Sequence, residues 1–522
     1  MREWRDALGE DSVICDRTQI ERAQTATFQT QQTIPIILRP ASRDQVSEIM
    51  RVANRHKVPV YPVSSGRNWG YGSRVPVVSG CALVDLGKLR EIVDFSEALG
   101  FVTVQPGVTQ RDLQHFLTGR KSKLWMDATG SSPDCSLIGN AMERGFGHTP
   151  YGDHFAQVCA LEVVLANGET IRTGFAGLPA ARAGQVYRWG AGPSLEGLFS
   201  QSNFGIVTEM TIWLMPAPEY FQAFFFQCDR EDGLAAIIDA LRPLRMDGTL
   251  RSAVHIANDY KVLAGIQQFP AGETVPLRPA RMRELRRQLK FTKWSGSGAL
   301  YGTRGQVAEA RRLLRKALRG VASKLQFLDD RVLKLAARFT GVYRLATGLD
   351  LRKTLELVKP VYGLLQGVPT RQPLGSAYWR KSMPVPPDPD PDRDGCGLIW
   401  TAPVAPMEGS HAERLAGIVE RNLLAHDFEP MISITLLTER SIACVVSITY
   451  DREKSGEDEK AMDCYLALQA ELAREGYYSY RLATPALPAP SSDSAYTELL
   501  RSIRAALDPN DVLAPGRYVP RV

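Results

Sequence analysis

The sequence has no long hydrophobic run, and this absence excludes an ordinary membrane-spanning helix. None of its apolar stretches approaches the roughly 18 residues that a membrane span needs. Its first residues, MREWRDALGED, carry charges where an export signal would have its apolar core. We therefore expect no membrane span and a cytoplasmic location.

Cysteine pairs, metal motifs and the signatures of several enzyme classes are also missing. The eight cysteines are scattered without a CxxC pair, which indicates reduced and mostly buried thiols. His148 and His154 lie in a glycine-rich loop at a spacing that fixes no shared face, so we predict no metal site. The motifs G-x-S-x-G and H-E-x-x-H and the kinase set are absent, which excludes the corresponding hydrolases, metalloproteases and kinases.

Charge of one sign is not in large excess. The chain has 63 Lys and Arg against 57 Asp and Glu, and a net charge of +6 is too mild to indicate nucleic-acid binding. The segment 276–354 is richer in basic residues than the rest, and we interpret it as a solvated helical face. The alternative is a binding protein that docks on an anionic surface through Arg281, Arg283, Arg286, Arg287 and Lys290.

The patterns that are present divide the chain into three stretches. Residues 1–214 alternate short strand and helix signals, beginning with a strand in PIILRP and a helix after Ser42. Residues 215–475 open with the strand FQAFFFQC and contain amphipathic helices, which predicts a separate α+β domain. Residues 476–522 close with DPNDVLAPGRY, whose Pro and Gly content predicts an ordered turn against another domain.

Two glycine-rich loops are the candidate ligand site. The first, residues 64–72 (SSGRNWGYG), follows a strand, and its bare backbone and Arg67 could cradle a phosphate group. It matches neither the P-loop nor the G-x-G-x-x-G pattern. The second, residues 130–140 (GSSPDCSLIGN), offers small and hydroxyl side chains that could line a cofactor. Together they predict a ligand that carries phosphate.

Eight segments, taken in order along the chain, resemble the vanillyl-alcohol oxidase and p-cresol methylhydroxylase flavoprotein family. They are SSGRNWGYGS, ALVDLGKL, VTVQPGVTQRDL, IGNAMERGFGHTPYGDHF, LEVVLANGETIRTG, SQSNFGIVTEMTIWLMPAP, LIWTAPV and DPNDVLAPGR. The resemblance implies an α+β fold in which a two-part FAD-binding domain, made of the N-terminal stretch and the C-terminal tail, surrounds an inserted substrate or cap domain. By the same resemblance FAD is held by Ser64, Ser65, Gly66, Arg67, Asn68, Gly70, Gly130, Ser131, Ser132, Ser136, Gly139, Asn140, Gly205, Ile206, Val207 and Arg517.

The resemblance also implies a phenol-binding group formed by Tyr71, Tyr480 and Arg481. Tyrosine hydroxyls and a guanidinium stabilise phenoxide over phenol, which eases hydride loss from the carbon para to the oxygen and gives a quinone methide. Arg517 would stabilise the anionic reduced flavin, and Trp400 would form a pocket wall. The alternative keeps the fold and the flavin but acts on a non-phenolic alcohol, a hydroxy acid or a biosynthetic tailoring intermediate.

The chain departs from the family pattern beside the flavin. Vanillyl-alcohol oxidase has an aspartate where this sequence has Gly130 or Ser131. Asp127 or Asp134 could substitute for it, and the alternative for each is a turn or capping residue.

A second departure concerns the link to the cofactor. Leu398 aligns with the linking histidine of the oxidase, and Arg67 stands where the berberine-bridge branch has its own. We therefore expect FAD to be held without a covalent bond, with Tyr378, also a candidate pocket residue, as the alternative linker. The resemblance names oxygen or a c-type cytochrome as the electron acceptor and is compatible with a homo-oligomer.

Overall fold

The computed structural model describes residues 1–338, 351–487 and 494–521. All eight cysteines are free and all but Cys15 are buried, as the scattered spacing predicted. Throughout the described ranges, no helix is long and apolar enough to cross a membrane. The α-helices are Arg2–Leu8, Arg17–Ala23, Arg43–His56, Gln110–Gly119, Leu137–Met142, Gly233–Met246, Asp259–Ile266, Pro279–Leu289, Arg304–Ala317, Asp330–Arg338, Leu351–Leu364, Gly409–Ala425, Glu457–Arg474 and Ser494–Leu507.

Three sheets are formed within the N-terminal part of the chain. A four-stranded mixed sheet has the order Val13–Ile14, Ile37–Leu38, Ala82–Asp85, Val60–Val63, with parallel pairing among the last three. A five-stranded antiparallel sheet has the order Ile92–Ser96, Phe101–Val104, Ile206–Trp213, Val158–Val164, Thr170–Arg172. A small ribbon pairs Leu124–Trp125 with Met215–Pro216.

A nine-stranded antiparallel sheet dominates the middle of the chain. Helices such as Gly233–Met246 and Gly409–Ala425 bury their apolar faces in the core that also contains this sheet. Its strand order is Lys324–Leu328, Tyr220–Cys228, Trp294–Gly302, Val254–Asn258, Met431–Leu436, Ser441–Asp451, Pro403–Pro406, Tyr478–Ser479, and Cys396–Thr401 also pairs with Ser441–Asp451.

Local signals in the sequence account for several of these elements. The helix Arg43–His56 begins after Ser42, whose side chain accepts a bond from Gln45 N, and its predicted apolar stripe is buried. The Gln45 side chain does not complete a capping box with Ser42, because its Oε1 accepts from Ala41 N at 2.7 Å. Thr109 forms a complete capping box with Asp112 at the start of Gln110–Gly119.

The C-terminal tail packs against the N-terminal part. Val60 N donates to Val512 O at 2.7 Å, and Ala514 N donates to Val60 O at 2.7 Å. Arg504, which is fully buried, donates to the carbonyl of Asn203. These contacts favour the division at 1–214, 215–475 and 476–522, which stays a prediction.

Two surface features differ from the simplest sequence expectations. The Pro and Asp content of the segment after Met383 favours an exposed loop, but Asp392 accepts a bond from Ser73 at 2.8 Å. This half of the segment is therefore packed against the first glycine-rich loop. In the basic segment, Arg281 pairs with Glu273, and Arg286 pairs with Glu231, so part of its charge is already neutralised. Residues 339–350 of that segment lie outside the described residues.

Candidate active site

One cavity of 550 Å³ brings together the two predicted loops, the face of the nine-stranded sheet and the C-terminal tail. Its volume lies in the usual range for ligand pockets. Gly70, Ser132 and Tyr378 are the predicted residues that do not line it. The predicted residues that do line it are Ser64, Ser65, Gly66, Arg67, Asn68, Tyr71, Gly130, Ser131, Ser136, Gly139, Asn140, Gly205, Ile206, Val207, Trp400, Tyr480, Arg481 and Arg517.

The two glycine-rich loops contact each other, and their glycines expose backbone to the cavity. The strand Val60–Val63 delivers the first loop, and Ser65 Oγ accepts a bond from Ser136 N at 3.1 Å. A Cβ atom on Gly139 would lie 2.4 Å from Ser64 Oγ, so any larger residue here would displace the Ser64 hydroxyl. Such a cradle suits the diphosphate of FAD, which backbone N–H groups can approach closely.

Gly70 lies behind Trp400, one of the residues that line the cavity. Its φ is +76°, and a Cβ there would lie 1.9 Å from Cδ1 of Trp400. Its carbonyl accepts a bond from Trp400 N at 3.0 Å, and its N–H donates to Thr27 Oγ1 at 2.9 Å. Gly70 therefore lets the cavity-wall indole pack against the loop that carries Tyr71.

Ser132 and Tyr378 also lie outside the cavity lining. Polar groups of both residues have partners elsewhere. Ser132 O accepts from Gln110 Nε2 at 2.8 Å, which fixes the base of the second loop. Tyr378 is fully buried, its hydroxyl donates to Asp394 at 2.6 Å, and burial raises the pKa of this hydroxyl. The prediction of Tyr378 as a pocket residue is therefore wrong in position, whereas Leu398 does line the cavity.

A charged cluster occupies the end of the cavity formed by the tail. Glu143 accepts bonds from Arg517 and, at 2.8 Å, from the hydroxyl of Tyr518, and Arg481 Nε lies 3.4 Å from Glu143 Oε2. The two guanidinium groups hold the pKa of Glu143 below its ordinary value despite burial. Two guanidinium groups against one carboxylate leave one positive charge, which suits an anionic ligand group.

The three predicted phenol-binding residues are close together. The guanidinium of Arg481 lies 4.3 Å from the centre of the Tyr71 ring and also donates to Asn68 Oδ1. Burial raises the pKa of Tyr480 to about 12 and the pKa of Tyr71 well above its ordinary value. Both tyrosines therefore stay protonated and can donate hydrogen bonds to an anionic oxygen.

Two histidines in the cavity were missed as active-site candidates by sequence reasoning. The rings of His148 and His255 lie 4.3 Å apart, and burial lowers the pKa of both. His148 Nδ1 lies 3.1 Å from the carbonyl of Ala128, which can only accept, so in the neutral ring Nε2 is the acceptor. Only the loop sequence GFGHTP hinted at His148, and its partner His255 comes from the strand Val254–Asn258 of the nine-stranded sheet.

His148 lies where the family aspartate is missing. A Cβ on Gly130 would be 3.2 Å from Cε1 of His148, so the imidazole fills the space beside that position. Neither proposed substitute lines the cavity. Asp127 instead accepts from His154 Nε2 at 2.7 Å and from backbone N–H groups, and Asp134 pairs with Arg111 at 2.8 Å. The prediction of these aspartates as the site carboxylate is therefore wrong.

The same geometry tests the metal alternative for His148 and His154. Within residues 1–338, 351–487 and 494–521, no group of three or more His, Cys, Asp or Glu side chains could hold a metal ion. His154 is held between Asp127 and Asn140, whose Oδ1 lies 2.5 Å from its Nδ1.

Comparison with known proteins finds relatives that match nearly the whole chain. Residues 34–174 match the FAD binding domain family. The chain is 43% identical over 521 residues to a 1'-carboxy-chondrochloren decarboxylase of Chondromyces crocatus, covering 99% of this chain and 96% of that protein. It is 30% identical over 525 residues to the 4-cresol dehydrogenase [hydroxylating] flavoprotein subunit of Pseudomonas putida, covering 99% and 94%. A 4-ethylphenol oxidase from Gulosibacter chungangensis, solved as an isoeugenol complex, superposes with a TM-score of 0.90 at 27% identity, covering 100% and 96%.

The fold and the cavity therefore define an FAD-dependent oxidoreductase with a PCMH-type FAD-binding domain. The chain belongs to the vanillyl-alcohol oxidase and p-cresol methylhydroxylase family, as its sequence motifs predicted. The predicted fold class and the predicted cofactor, FAD, are both confirmed. The role of each lining residue stays a prediction.

Proposed function

We propose that this enzyme removes a hydride from the carbon para to a phenol, in a 4-alkylphenol or a 4-hydroxybenzyl alcohol, and forms a quinone methide. The observation that carries this proposal is the grouping of Tyr71, Tyr480 and Arg481 in the cavity that also contains the cofactor loops. Two relatives are named for 4-cresol and 4-ethylphenol, which supports the same substrate class.

The roles of the residues follow from their charges. Arg481 and the two protonated tyrosines favour the phenoxide form of the substrate, which pushes electrons toward the para carbon. FAD, when bound, supplies the hydride acceptor. Arg517 brings a guanidinium beside Glu143 and would stabilise negative charge that develops in the cavity. Oxygen or a c-type cytochrome would take up the electrons, and a homo-oligomeric state also remains a proposal.

Water would trap the quinone methide, and His148 is placed to assist. Water that bonds to the para side-chain carbon must lose one proton while the ring recovers its phenoxide. His148 Nε2 is an acceptor in the neutral ring, and the pKa of this ring is lowered, so it is neutral at ordinary pH. The product would be an alcohol, which a second cycle converts to an aldehyde or ketone.

A second outcome is favoured by the decarboxylase relative. If the substrate carries a carboxylate on the carbon next to the para carbon, loss of hydride gives a quinone methide beside that carboxylate. The bond to CO2 can then break, and its electron pair forms the side-chain double bond while the ring returns to phenoxide. This step needs no water and no base. It corresponds to the alternative of a biosynthetic tailoring enzyme.

FAD is proposed to be held without a covalent bond. Leu398 lines the cavity and cannot bond to flavin, and the hydroxyl of Tyr378 is bound to Asp394. Acid precipitation of the purified holoenzyme should leave yellow FAD in the supernatant. Flavin in the pellet would show that FAD is covalently bound and would point to Tyr378 as the linking residue.

A substrate screen tests the proposed function. The holoenzyme is incubated in air with 4-methylphenol, 4-ethylphenol, 4-hydroxybenzyl alcohol, 2-hydroxy acids and aliphatic alcohols, with a cytochrome c added in parallel. We expect turnover of the phenols with one of the two acceptors. Turnover of only the non-phenolic compounds would contradict the proposal.

A further inference from the structure

Lys261 is a lysine of the cavity wall that no part of the proposed phenol chemistry uses. It lies in the first turn of the helix Asp259–Ile266, where its N–H donates to Asn258 Oδ1 at 3.0 Å. Its Nζ donates to Ser376 Oγ at 3.1 Å and lies 5.2 Å from the centre of the Trp400 ring. The helix, the serine and the indole hold the ammonium group in the cavity.

The electrostatic environment of Lys261 differs from that of the other enclosed lysines, Lys293 and Lys381. Burial alone lowers its pKa to about 8, so the amine is still mostly protonated at neutral pH. Among the described residues no carboxylate forms an ion pair with it, whereas the enclosed amines of Lys293 and Lys381 both face carboxylates, Lys381 at 2.8 Å. An enclosed cation without a counter-charge is costly unless a ligand supplies one.

A chain of contacts connects Lys261 with the proposed phenol-binding residues Tyr71 and Arg481. Trp400 packs against Gly70, and the next residue, Tyr71, contacts Arg481. Arg481 and Arg517 already share Glu143, the one acidic side chain among the described lining residues of this cavity. Apart from Arg67 of the first loop, the cavity therefore holds two separate cationic points, the Arg481 group for a phenoxide and Lys261 for a second anion.

We propose that Lys261, with Ser376, binds a carboxylate on the para side chain of the substrate, so that the enzyme selects carboxylated phenols over neutral ones. This inference rests on the proposed phenol site and adds the substrate class to it. The ammonium and hydroxyl groups offer two hydrogen bonds to one carboxylate, and one of these bonds is charge-assisted.

Binding is measured apart from turnover, by calorimetry on holoenzyme that has been reduced and kept free of oxygen. The two ligands are 3-(4-hydroxyphenyl)propanoate and its neutral amide. The variants are Lys261→Met, Lys261→Arg, Tyr480→Phe and, as a control for the loss of one surface charge, Lys316→Met. FAD content is measured for each from its visible absorption.

We expect Lys261→Met to weaken binding of the acid about 10- to 100-fold and binding of the amide less than about threefold. Lys261→Arg should restore most of the affinity for the acid, and Lys316→Met should change neither ligand. Equal weakening of both ligands, no weakening of either, or loss of FAD from Lys261→Met would overturn the proposal. Tyr480→Phe should weaken both ligands alike; unchanged binding there would count against the phenol site and not against Lys261.

Discussion

The guanidinium of Arg481 lies over the ring of Tyr71, 4.3 Å from its centre. This contact joins the C-terminal tail to the first glycine-rich loop, since Arg481 also donates to Asn68 of that loop. The phenol-binding group thus depends on residues more than four hundred positions apart in the chain.

Replacing Arg481 with lysine should lower kcat/KM for 4-ethylphenol by about 100- to 1,000-fold. Lysine keeps the positive charge but cannot keep both the planar contact with Tyr71 and the bond to Asn68, so the charge is no longer fixed beside the phenoxide. FAD content, measured by visible absorption, should stay at one per chain. Activity within threefold of the wild type would argue against a phenoxide at this position.

Replacing His148 with glutamine should slow the oxidation of 4-methylphenol, whose quinone methide can only be trapped by water. The loss expected for a general base is about 100- to 10,000-fold. Because burial lowers the pKa of His148, the wild type should lose activity as pH falls through a value below 6.5, when the ring gains its proton. The acid limb should vanish in His148→Gln and persist in His255→Gln. An unchanged pH profile in His148→Gln would rule out this role.

Replacing Gly70 with alanine should disrupt the wall between Trp400 and the first loop. The new Cβ would lie 1.9 Å from the indole, in addition to the strain of a φ of +76°. Gly80→Ala is the matched control, because Gly80 has a φ of +84° but a Cβ added there would meet no atom within 4 Å. We expect Gly70→Ala to lose phenol turnover while Gly80→Ala loses only stability, about 1 kcal/mol. Equal turnover in the two variants would show that the packing of Trp400 is unimportant.

Replacing Arg504 with methionine should destabilise the protein by about 3–5 kcal/mol. Arg504 is fully buried and pairs with Asp508 at 2.9 Å and Asp511 at 2.8 Å, so its loss leaves the buried carboxylate of Asp508 without a cationic partner. Arg521→Met is the control, since Arg521 contacts Asp511 from an exposed position and should change stability by less than about 0.5 kcal/mol. Chemical denaturation of the holoproteins measures both. A small effect of Arg504→Met would mean that the tail is held mainly by its apolar contacts.

Elements with strong local signals could be predicted from the sequence. Ser42 and Thr109 mark helix starts because their hydroxyls bond to backbone N–H groups of the next turn, a purely local interaction. The two glycine-rich loops were also predictable, because a residue without a Cβ lets them approach as closely as Gly139 and Ser64 do. The order of the family motifs along the chain then predicted the fold class and the cofactor, FAD.

The composition of the catalytic pocket was less predictable, because it depends on contacts between distant segments. Tyr378 was expected in the pocket from the family resemblance, but its hydroxyl donates to Asp394. His148 becomes a site residue only when His255 of the nine-stranded sheet packs on it. Lys261 belongs to no motif, and its significance comes from the absence of a carboxylate near it among the described residues.

In the proposed reaction, bound FAD takes a hydride from a phenol held by Tyr480 and Arg481. The most direct test is to mix the oxidised holoenzyme with excess 4-ethylphenol in the absence of oxygen and to follow the visible flavin absorption. We expect this absorption to disappear in a single turnover and Tyr480→Phe to slow its loss by about 100-fold or more. A flavin that stays oxidised, or one that is reduced equally fast in Tyr480→Phe, would contradict the proposed reaction.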